Sequence, residues 1–329
     1  MSGIVIIGAG QAGSSLAIKL RTLGYEGAVT LIGEEPYAPY QRPPLSKTYL
    51  LGEMALERLY LRPQELYRDH NIELRLAAQV TAIDPVAGVV SLGHETLAYD
   101  QLALTTGSTP RLLPEAIGGG LKNVFAVRGL ADVDAMRPAF ERGGHVLIIG
   151  GGYIGLEAAA VAAKRGLKVT LVEMAERILQ RVACKETSDY FRDLHQSHGV
   201  TLLEGVGLSR LTGTDHVTGA ILSNGETLDI DFALVGVGIQ PNTGLAEAAD
   251  LTLNNGIETN ALGQTSEARI WAAGDCASFP YKGGRIRLES VPNAIDQAEV
   301  VAENMLGAKK EYHATPWFWS DQYDVKLQI

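Results

Sequence analysis

Short apolar runs alternate along the chain with longer segments in which apolar residues recur every three or four positions. Ile4–Ile7 is the first such run, and after a glycine-rich turn Leu16, Ala17 and Leu20 fall on one face of a helix. Val29–Ile32 is a second apolar run. Four-residue runs bounded by glycines are typical of fully buried strands, and the longer period is typical of amphipathic helices. This alternation predicts βαβ units and an α/β fold with parallel sheets.

The turn after the first strand contains a glycine motif. Gly8, Gly10 and Gly13 form a G-x-G-x-x-G, and Glu34 stands at the end of the second strand. In dinucleotide-binding units the first glycine permits the tight turn, the second lets the main chain approach a pyrophosphate, and the third lets the helix pack on the strand. The helix N-terminus then offers N–H groups to the phosphates, and the acid accepts from a ribose hydroxyl. This order of features predicts a dinucleotide site rather than a bare βαβ unit.

The same arrangement recurs later in the chain. His145–Ile149 leads into a second glycine motif at Gly150, Gly152 and Gly155, an alanine-rich helix follows, and Glu173 stands at the end of the next strand. Repetition on the scale of a domain indicates two copies of one nucleotide-binding unit. We therefore predict an α/β fold with two Rossmann-like dinucleotide-binding domains.

Two further strands that end in glycine and proline mark places where the chain would pass between these domains. One strand ends at Thr106 and Gly107, and the other ends at Gly238. The predicted domains are a first domain of residues 1–110 and 241–316, a second domain of residues 111–240, and the start of a C-terminal domain at residues 317–329. The last of these segments alternates like a strand but has nothing after it with which to pair.

Charge and cysteine content restrict the function. The net charge of −10 disfavours a general nucleic-acid-binding role. The only two cysteines, Cys184 and Cys276, are far apart in the sequence, which fits a reducing compartment and leaves no C-x-x-C redox pair. With neither a basic leader nor an apolar segment of membrane-spanning length, we expect a soluble cytoplasmic protein without a membrane partner.

Several further motifs complete a family pattern. They are Tyr40–Lys47 (YQRPPLSK), Gly274–Ala277 (GDCA), Glu289–Ala294 (ESVPNA) and Pro316–Tyr323 (PWFWSDQY). Together with the two glycine motifs they resemble the FAD-dependent NADH:ferredoxin reductases of bacterial oxygenase systems, the family of the putidaredoxin and dioxygenase ferredoxin reductases. In that family a third domain follows the tryptophan motif, and this sequence contains only the first strand of it.

The resemblance implies two sets of cofactor-binding residues. For FAD and its surroundings they are Gly8, Gly10, Ala12, Gly13, Glu34, Arg42, Lys47, Val80, Thr106, Gly107, Arg128, Gly238, Asp275, Val291 and Trp319. For NADH they are Gly150, Gly152, Tyr153, Ile154, Gly155 and Glu173. The alternative interpretations are a helix N-cap for Asp275, which is compatible with a cofactor contact, and ordinary core packing for Trp319.

By the same resemblance, Lys47 would reach the flavin where hydride arrives from NADH, and Glu157 would hold Lys47 in place. These two are the expected catalytic residues, although Glu157 would equally fit a solvated helix position. Glu173 favours NADH over NADPH, because a carboxylate accepts from a 2′-hydroxyl and repels a 2′-phosphate. The nearest downstream arginine, Arg177, is four residues away.

The electron acceptor is inferred from the lack of reactive thiols. Related flavoproteins reduce a C-x-x-C pair or a single cysteine near residues 35–60, and neither is present here. Cys276 is expected to be a packing residue. The resemblance then implies that single electrons pass to a 2Fe–2S ferredoxin that serves a monooxygenase or dioxygenase. Arg58, Arg62 and Arg68 are candidates for a basic docking patch, or are merely solvated.

Two alternatives stay open at the level of sequence. One is a reductase for rubredoxin or another small carrier, and the other is an NADH-sensing flavoprotein similar to apoptosis-inducing factor. The oligomeric state is also left open. No metal site is expected: His195 and His198 share a helix face, but no cysteine or acid completes a ligand set, and both are predicted to be surface histidines.

Overall fold

Buried strands and helices alternate along the chain in the order that the hydrophobic pattern predicts. In the computed structural model, which describes residues 3–329, the strands are β1 Gly3–Ile7, β2 Val29–Ile32, β3 Ile72–Arg75, β4 Ala82–Asp84, β5 Val89–Leu92, β6 Glu95–Leu104, β7 Ser108–Pro110, β8 Val124–Phe125, β9 His145–Ile149, β10 Lys168–Glu173, β11 Thr201–Glu204, β12 Leu208–Gly213, β13 Val217–Leu222, β14 Thr227–Asp229, β15 Phe232–Val235, β16 Ile239–Pro241, β17 Ile257–Glu258, β18 Ile270–Ala272, β19 Ala277–Tyr281, β20 Gly284–Ile286, β21 Trp319–Gln322 and β22 Val325–Gln328. The helices are α1 Gln11–Thr22, α2 Leu56–Leu59, α3 Gln64–Asp69, α4 Leu130–Arg142, α5 Tyr153–Lys164, α6 Lys185–Ser197, α7 Gly244–Ala248 and α8 Val291–Met305, with short helical turns at Leu45–Tyr49 and Glu115–Ile117. The predicted α/β class with parallel sheets is confirmed.

The chain forms two units, each made of separate segments. The first unit comprises Met1–Gln41, Tyr60–Thr109 and Pro241–Phe318, and the second comprises Arg42–Leu59, Pro110–Gln240 and Trp319–Ile329. This division differs from the predicted domains at two places. The segment that begins at Arg42 and the segment that begins at Trp319 both belong to the second unit.

A mainly parallel sheet organises the first unit. Its strands lie in the order β3-β2-β1-β6-β5-β4, and β18 also pairs with β6. Every residue of β1 is buried. Leu16, Ala17 and Leu20 of α1 are fully buried in the same core cluster as Ala298 and Val301 of α8. Each large apolar side chain buried in this way contributes roughly 1.5–3 kcal/mol, so the predicted helix face is fixed against the sheet.

A second parallel sheet organises the second unit, in the order β11-β10-β9-β15-β8. On α5, Ala158, Ala159 and Ala162 are fully buried, and such small side chains let a helix axis approach a sheet closely. The run β9-α5-β10 repeats the order of β1-α1-β2, with β9 parallel to β10 as β1 is to β2. The predicted internal duplication is therefore confirmed at the level of local structure.

The C-terminal segment is a hairpin rather than a lone strand. β21 pairs with β22 in antiparallel register from Trp319 opposite Gln328 to Gln322 opposite Val325. The expectation that this segment has no partner was wrong, because the chain turns at Tyr323, whose φ of 56° lies in the left-handed region. No helix within residues 3–329 is both long enough and apolar enough to cross a membrane.

Candidate functional site

The first glycine turn leaves room for a ligand at one position only. A Cβ atom added to Gly13 would lie 2.0 Å from the carbonyl oxygen of Gly8, so this glycine is required by the packing of α1 on the turn. A Cβ added to Gly10 would meet nothing within 4 Å. The φ of Gly10 is −95°, which any residue adopts. Gly10 is the N-cap of α1, a position that accepts glycine, and the open space beside it fits a pyrophosphate held against the main chain.

Helix α1 presents an uncapped N-terminus beside this turn. No side chain caps it, and its first turn contains no acidic residue. The first N–H groups of a helix have no partner within the helix and favour an anion. On the adjoining strand end, Gly33 packs so closely on Ala9 that an added Cβ would lie 2.6 Å from the Ala9 Cβ. Glu34, whose carboxylate is exposed, is the next residue after this glycine.

The second glycine turn has the same geometry. A Cβ on Gly155 would lie 2.0 Å from the carbonyl oxygen of Gly150, and a Cβ on Gly152 would meet nothing within 4 Å. Helix α5 also begins without a side-chain cap or an acid in its first turn. Glu173 is fixed beside the turn, since its carboxylate accepts from the N–H of Gly151 at 2.7 Å and from that of Ala175 at 2.7 Å.

A buried ion pair lies within the second unit. The Nζ of Lys47 is 3.0 Å from Oε1 of Glu157 and 3.3 Å from Oδ2 of Asp321. The hydroxyl of Ser320 donates to Oε1 of Glu157 at 2.7 Å, and that of Ser46 donates to Oε2 at 3.1 Å. Glu157 is only 6% exposed, so its interpretation as a solvated helix residue is wrong. Burial raises the pKa of Glu157, while the Lys47 charge and the Ser320 hydroxyl oppose that rise.

Comparison with known proteins identifies the architecture. The model of the family described as "Pyridine nucleotide-disulphide oxidoreductase" matches residues 2–298. The chain belongs to that family. It is 41% identical over 330 residues to rhodocoxin reductase of Rhodococcus erythropolis, a match that covers 99% of this chain and 77% of the relative. It is 36% identical over 329 residues to rubredoxin-NAD(+) reductase of Pseudomonas putida, covering 99% of this chain and 85% of the relative.

The solved structures agree. The crystal structure of the covalent putidaredoxin reductase–putidaredoxin complex superposes with a TM-score of 0.95 at 40% sequence identity, covering 99% of this chain and 80% of that one. The chain is thus an oxidoreductase of the ferredoxin–NAD(P) reductase family, as its resemblance predicted. The wider family is typically FAD-dependent and uses NAD(P)H. Both open glycine positions fit the pyrophosphates of such cofactors.

Gly274, which precedes the predicted residue Asp275, packs on the first glycine motif. Gly274 approaches the turn so closely that an added Cβ would lie 3.0 Å from the Cβ of Ala12. Asp275 follows, and its Oδ2 accepts from the hydroxyl of Ser108 at 2.8 Å. No helix begins at Asp275, because strand β19 starts two residues later, so its interpretation as an N-cap is wrong. Val291 is the first residue of α8, whose cap is Ser290.

The other predicted residues of this unit lie on its strand ends. Thr106 donates from its hydroxyl to the carbonyl of Asn242 at 2.7 Å, and the carbonyl of Gly107 accepts from the Asn242 N–H at 2.9 Å. Val80 is buried, and it follows a loop tied to the end of β2 by the N–H of Ala78, which donates to the Gly33 carbonyl at 2.9 Å. Their contacts to FAD stay predictions.

In the second unit the structure joins two predicted arginines. The Nη1 of Arg42 donates to the carbonyl of Arg128 at 2.6 Å.

The remaining predicted residues of this unit lie on separate elements. Trp319 begins β21 and is half-buried. Gly238 has a φ of 99° and accepts from the N–H of Arg111 at 2.9 Å. Tyr153 and Ile154 form the first turn of α5, with Ile154 exposed.

Gln297 was not among the residues predicted from the sequence. Its Oε1 accepts from the N–H of Gly274 at 2.9 Å, and its buried Nε2 has no hydrogen-bond partner within the described chain. A buried amide without a partner costs about 1–3 kcal/mol, so a donor left open beside Gly274 fits a bound polar group. The available signal was a glutamine between Ala294 and Ala298, on a mainly apolar face of α8.

The histidine prediction was half wrong. His195 is fully buried, and its Nε2 lies 2.9 Å from Oε1 of Gln322. His198 is exposed and stacks on Tyr323 with ring centroids 3.7 Å apart. The hairpin that covers His195 is formed by the last residues of the chain, which the local pattern of α6 does not reveal. Across residues 3–329 no group of His, Cys, Asp or Glu side chains could hold a metal ion.

Proposed function

We propose that this protein takes hydride from NADH onto bound FAD and passes single electrons to a 2Fe–2S ferredoxin that serves a monooxygenase or dioxygenase. The observation on which this depends is the pair of equivalent glycine turns, each of which begins a helix without a side-chain cap and leaves open space at its second glycine, Gly10 or Gly152. One turn would hold FAD and the other NADH. The relatives named for rhodocoxin and putidaredoxin support a small protein carrier as the acceptor.

The cofactors supply the redox chemistry, since bound FAD accepts a hydride and releases electrons singly. The chain supplies orientation and charge. Lys47 is held between Glu157 and Asp321, so its ammonium group is fixed in one place instead of moving freely on a flexible side chain. A preorganised charge of this kind stabilises the charge that develops on a reacting group. Glu157 is the positioning partner of Lys47.

The thiols do not offer an alternative acceptor. Cys276 is fully buried, and burial raises the pKa of its thiol, so it is a packing residue as predicted. Cys184 is exposed and is likewise not in a disulfide. A dithiol acceptor needs two neighbouring reactive cysteines. Transfer to an external carrier therefore accounts best for the electrons.

Docking of an acidic carrier is proposed at exposed arginines. Arg62 and Arg68 of the first unit are exposed, and Arg58, which belongs to the second unit, is exposed as well. The nearest carboxylate to Arg68 is that of Asp69, 3.7 Å away and itself well exposed, so this pair neutralises the arginine only weakly. Opposite charge on the carrier would speed encounter in a salt-dependent way.

Preference for NADH over NADPH follows from Glu173. Its carboxylate is fixed by two main-chain N–H groups, and Arg177 is occupied by the hydroxyl of Ser188, 2.6 Å from its Nη1. We expect kcat/KM for NADH to exceed that for NADPH at least tenfold, and Glu173→Gln to reduce that ratio about tenfold, the equivalent of about 1.4 kcal/mol. Glu176→Gln, at an exposed acid on the same loop, is the matched control. Equal kcat/KM values in the parent protein would contradict the preference.

An anaerobic titration tests the function itself. The purified protein, loaded with FAD, should be bleached by one equivalent of NADH and should then reduce a 2Fe–2S ferredoxin faster than a rubredoxin. Preference for rubredoxin would favour the carrier suggested by the relative at 36% identity. Bleaching by NADH without reduction of any carrier would favour a role like that of apoptosis-inducing factor.

A further inference from the structure

A chain of hydrogen bonds runs from the buried Glu157 into the C-terminal hairpin and helix α6. The Ser320 hydroxyl lies 2.7 Å from Oε1 of Glu157, and Nε2 of Gln322 lies 3.1 Å from the Ser320 hydroxyl. Oε1 of Gln322 lies 2.9 Å from Nε2 of His195. The hydroxyl of Tyr323 lies 3.1 Å from Nδ1 of His195. All five residues belong to the second unit.

The carboxylate at one end fixes the direction of every bond in this chain. An ionised carboxylate only accepts, so Ser320 must donate to Glu157. The amide nitrogen of Gln322 donates to Ser320, which leaves its oxygen to accept from His195. His195 must then have its proton on Nε2, and its Nδ1 accepts from Tyr323. Every proton along the chain points toward Glu157.

Burial keeps the imidazole in this neutral form. His195, Gln322 and Ser320 are each 0% exposed. Burial lowers the pKa of His195, and the neighbouring His198 acts in the same direction, against the Gln322 hydrogen bond. At the other end, Lys47 and Asp321 are the charged groups that adjoin Glu157 or its ion pair. Neutral imidazole has one donor and one acceptor. Its tautomer therefore determines the direction in which the hydrogen bonds between His195 and Glu157 donate.

We propose that His195 and Gln322 are positioning residues that aim the Ser320 proton at Glu157 and thereby hold this carboxylate ionised beside Lys47. If the imidazole proton moved to Nδ1, the Gln322 amide would turn over and Ser320 would donate to its oxygen. Glu157 would then lose its shortest hydrogen bond. Aligned hydrogen bonds also polarise one another. The kinetic consequence rests on the proposed function, whereas the tautomer of His195 does not.

Nuclear magnetic resonance of the imidazole nitrogens tests the direction. The full chain, loaded with FAD and labelled with ¹⁵N in its histidines, should show His195 at neutral pH as a single Nε2–H tautomer, with a pKa below the ordinary value of an imidazole. The signal is assigned by its loss in His195→Gln. Ser320→Ala frees the Gln322 amide, so His195 should become a mixture of tautomers. Ser46→Ala removes the other hydroxyl on Glu157 and should leave the single tautomer unchanged.

The pH profile of FAD reduction by NADH tests the effect on Glu157. The rate should fall as the pH drops through the pKa of Glu157. Methionine at position 322 cannot donate to the Ser320 hydroxyl and so does not direct the Ser320 proton toward Glu157. Gln322→Met should therefore raise the pH at the midpoint of this acid limb by about one unit. Gln328→Met, at an exposed glutamine of the same hairpin, should not shift it.

Two results would overturn the proposal. One is an Nδ1–H or mixed tautomer for His195 in the parent protein, a measurement that needs no variant to fold. The other is a pH–rate profile of FAD reduction whose acid midpoint is the same in Gln322→Met as in the parent protein. If NADH does not reduce the bound FAD at all, the proposed function fails, while the tautomer of His195 still decides whether the chain of hydrogen bonds is directed as inferred.

Discussion

Replacing Lys47 by methionine is expected to slow reduction of FAD by NADH roughly a hundredfold to a thousandfold, with FAD still bound. The reason is the loss of a fixed charge at the reacting centre, which has an effect of this size when a preorganised group is removed. Stopped-flow measurement of flavin bleaching gives the rate, and the visible spectrum of the desalted protein reports bound FAD. An unchanged rate would remove Lys47 from the catalytic residues.

The same variant should also lose stability. Glu157 is 6% exposed and would be left without its cation. Breaking a buried ion pair on one side costs roughly 3–5 kcal/mol. The double variant Lys47→Met with Glu157→Gln removes the unpaired charge, so it should recover stability while reduction stays slow. This separation distinguishes a catalytic effect from a folding defect.

Lys164→Met is the matched control for these measurements. Lys164 lies on α5, as Glu157 does, and its Nζ is 3.0 Å from Oε1 of Glu53. Both side chains of that pair are at least half exposed. Exposed pairs contribute about 0–1 kcal/mol, so this substitution should change neither the rate nor the free energy of unfolding appreciably.

Replacing Gly10 by valine should weaken FAD binding about a thousandfold without unfolding the protein. An added Cβ meets no protein atom within 4 Å, and the extended backbone of Gly10 has a φ of −95°, outside the left-handed region that favours glycine. The valine side chain would occupy the place of the pyrophosphate instead. Loss of two charge-assisted main-chain hydrogen bonds corresponds to about 4 kcal/mol, or about a thousandfold in Kd. Fluorescence titration of the apoprotein with FAD measures the change.

Gly152→Val is the matched substitution in the second turn, where an added Cβ also meets nothing within 4 Å. We expect a yellow protein that FAD still saturates but that NADH reduces only at much higher concentration. Thermal unfolding of both apoproteins should resemble that of the parent. If instead Gly10→Val keeps its FAD and Gly152→Val loses it, the assignment of the two cofactors to the two turns is reversed.

Local pattern was enough to predict most of the fold. Strand β1 is apolar at each position from Ile4 to Ile7, and Leu16, Ala17 and Leu20 recur at helical spacing, so burial on two faces or on one face can be read from the order of residues. The glycine motifs were equally informative, because the geometry of a single turn requires glycines at that spacing. The repetition of the unit around Gly150 then gave the second sheet.

The chemistry around Glu157 was accessible only in part. Resemblance paired Glu157 with Lys47, but nothing local distinguished a buried carboxylate from a solvated one on an alanine-rich helix. Ser320, Asp321 and Gln322 reach this group from the last strands of the chain. Contacts between segments so far apart in sequence leave no periodic signal.

The sequence by itself thus determined the class of fold, the two nucleotide turns and the family, since each depends on residues within one strand–turn–helix stretch or on a short motif. The tertiary structure decided that Glu157 and His195 are buried, that Asp275 caps no helix, and that the final residues form a hairpin over α6. These features depend on which distant segment packs against each side chain. Burial of a polar group is therefore settled by the whole fold, and its protonation follows from that burial.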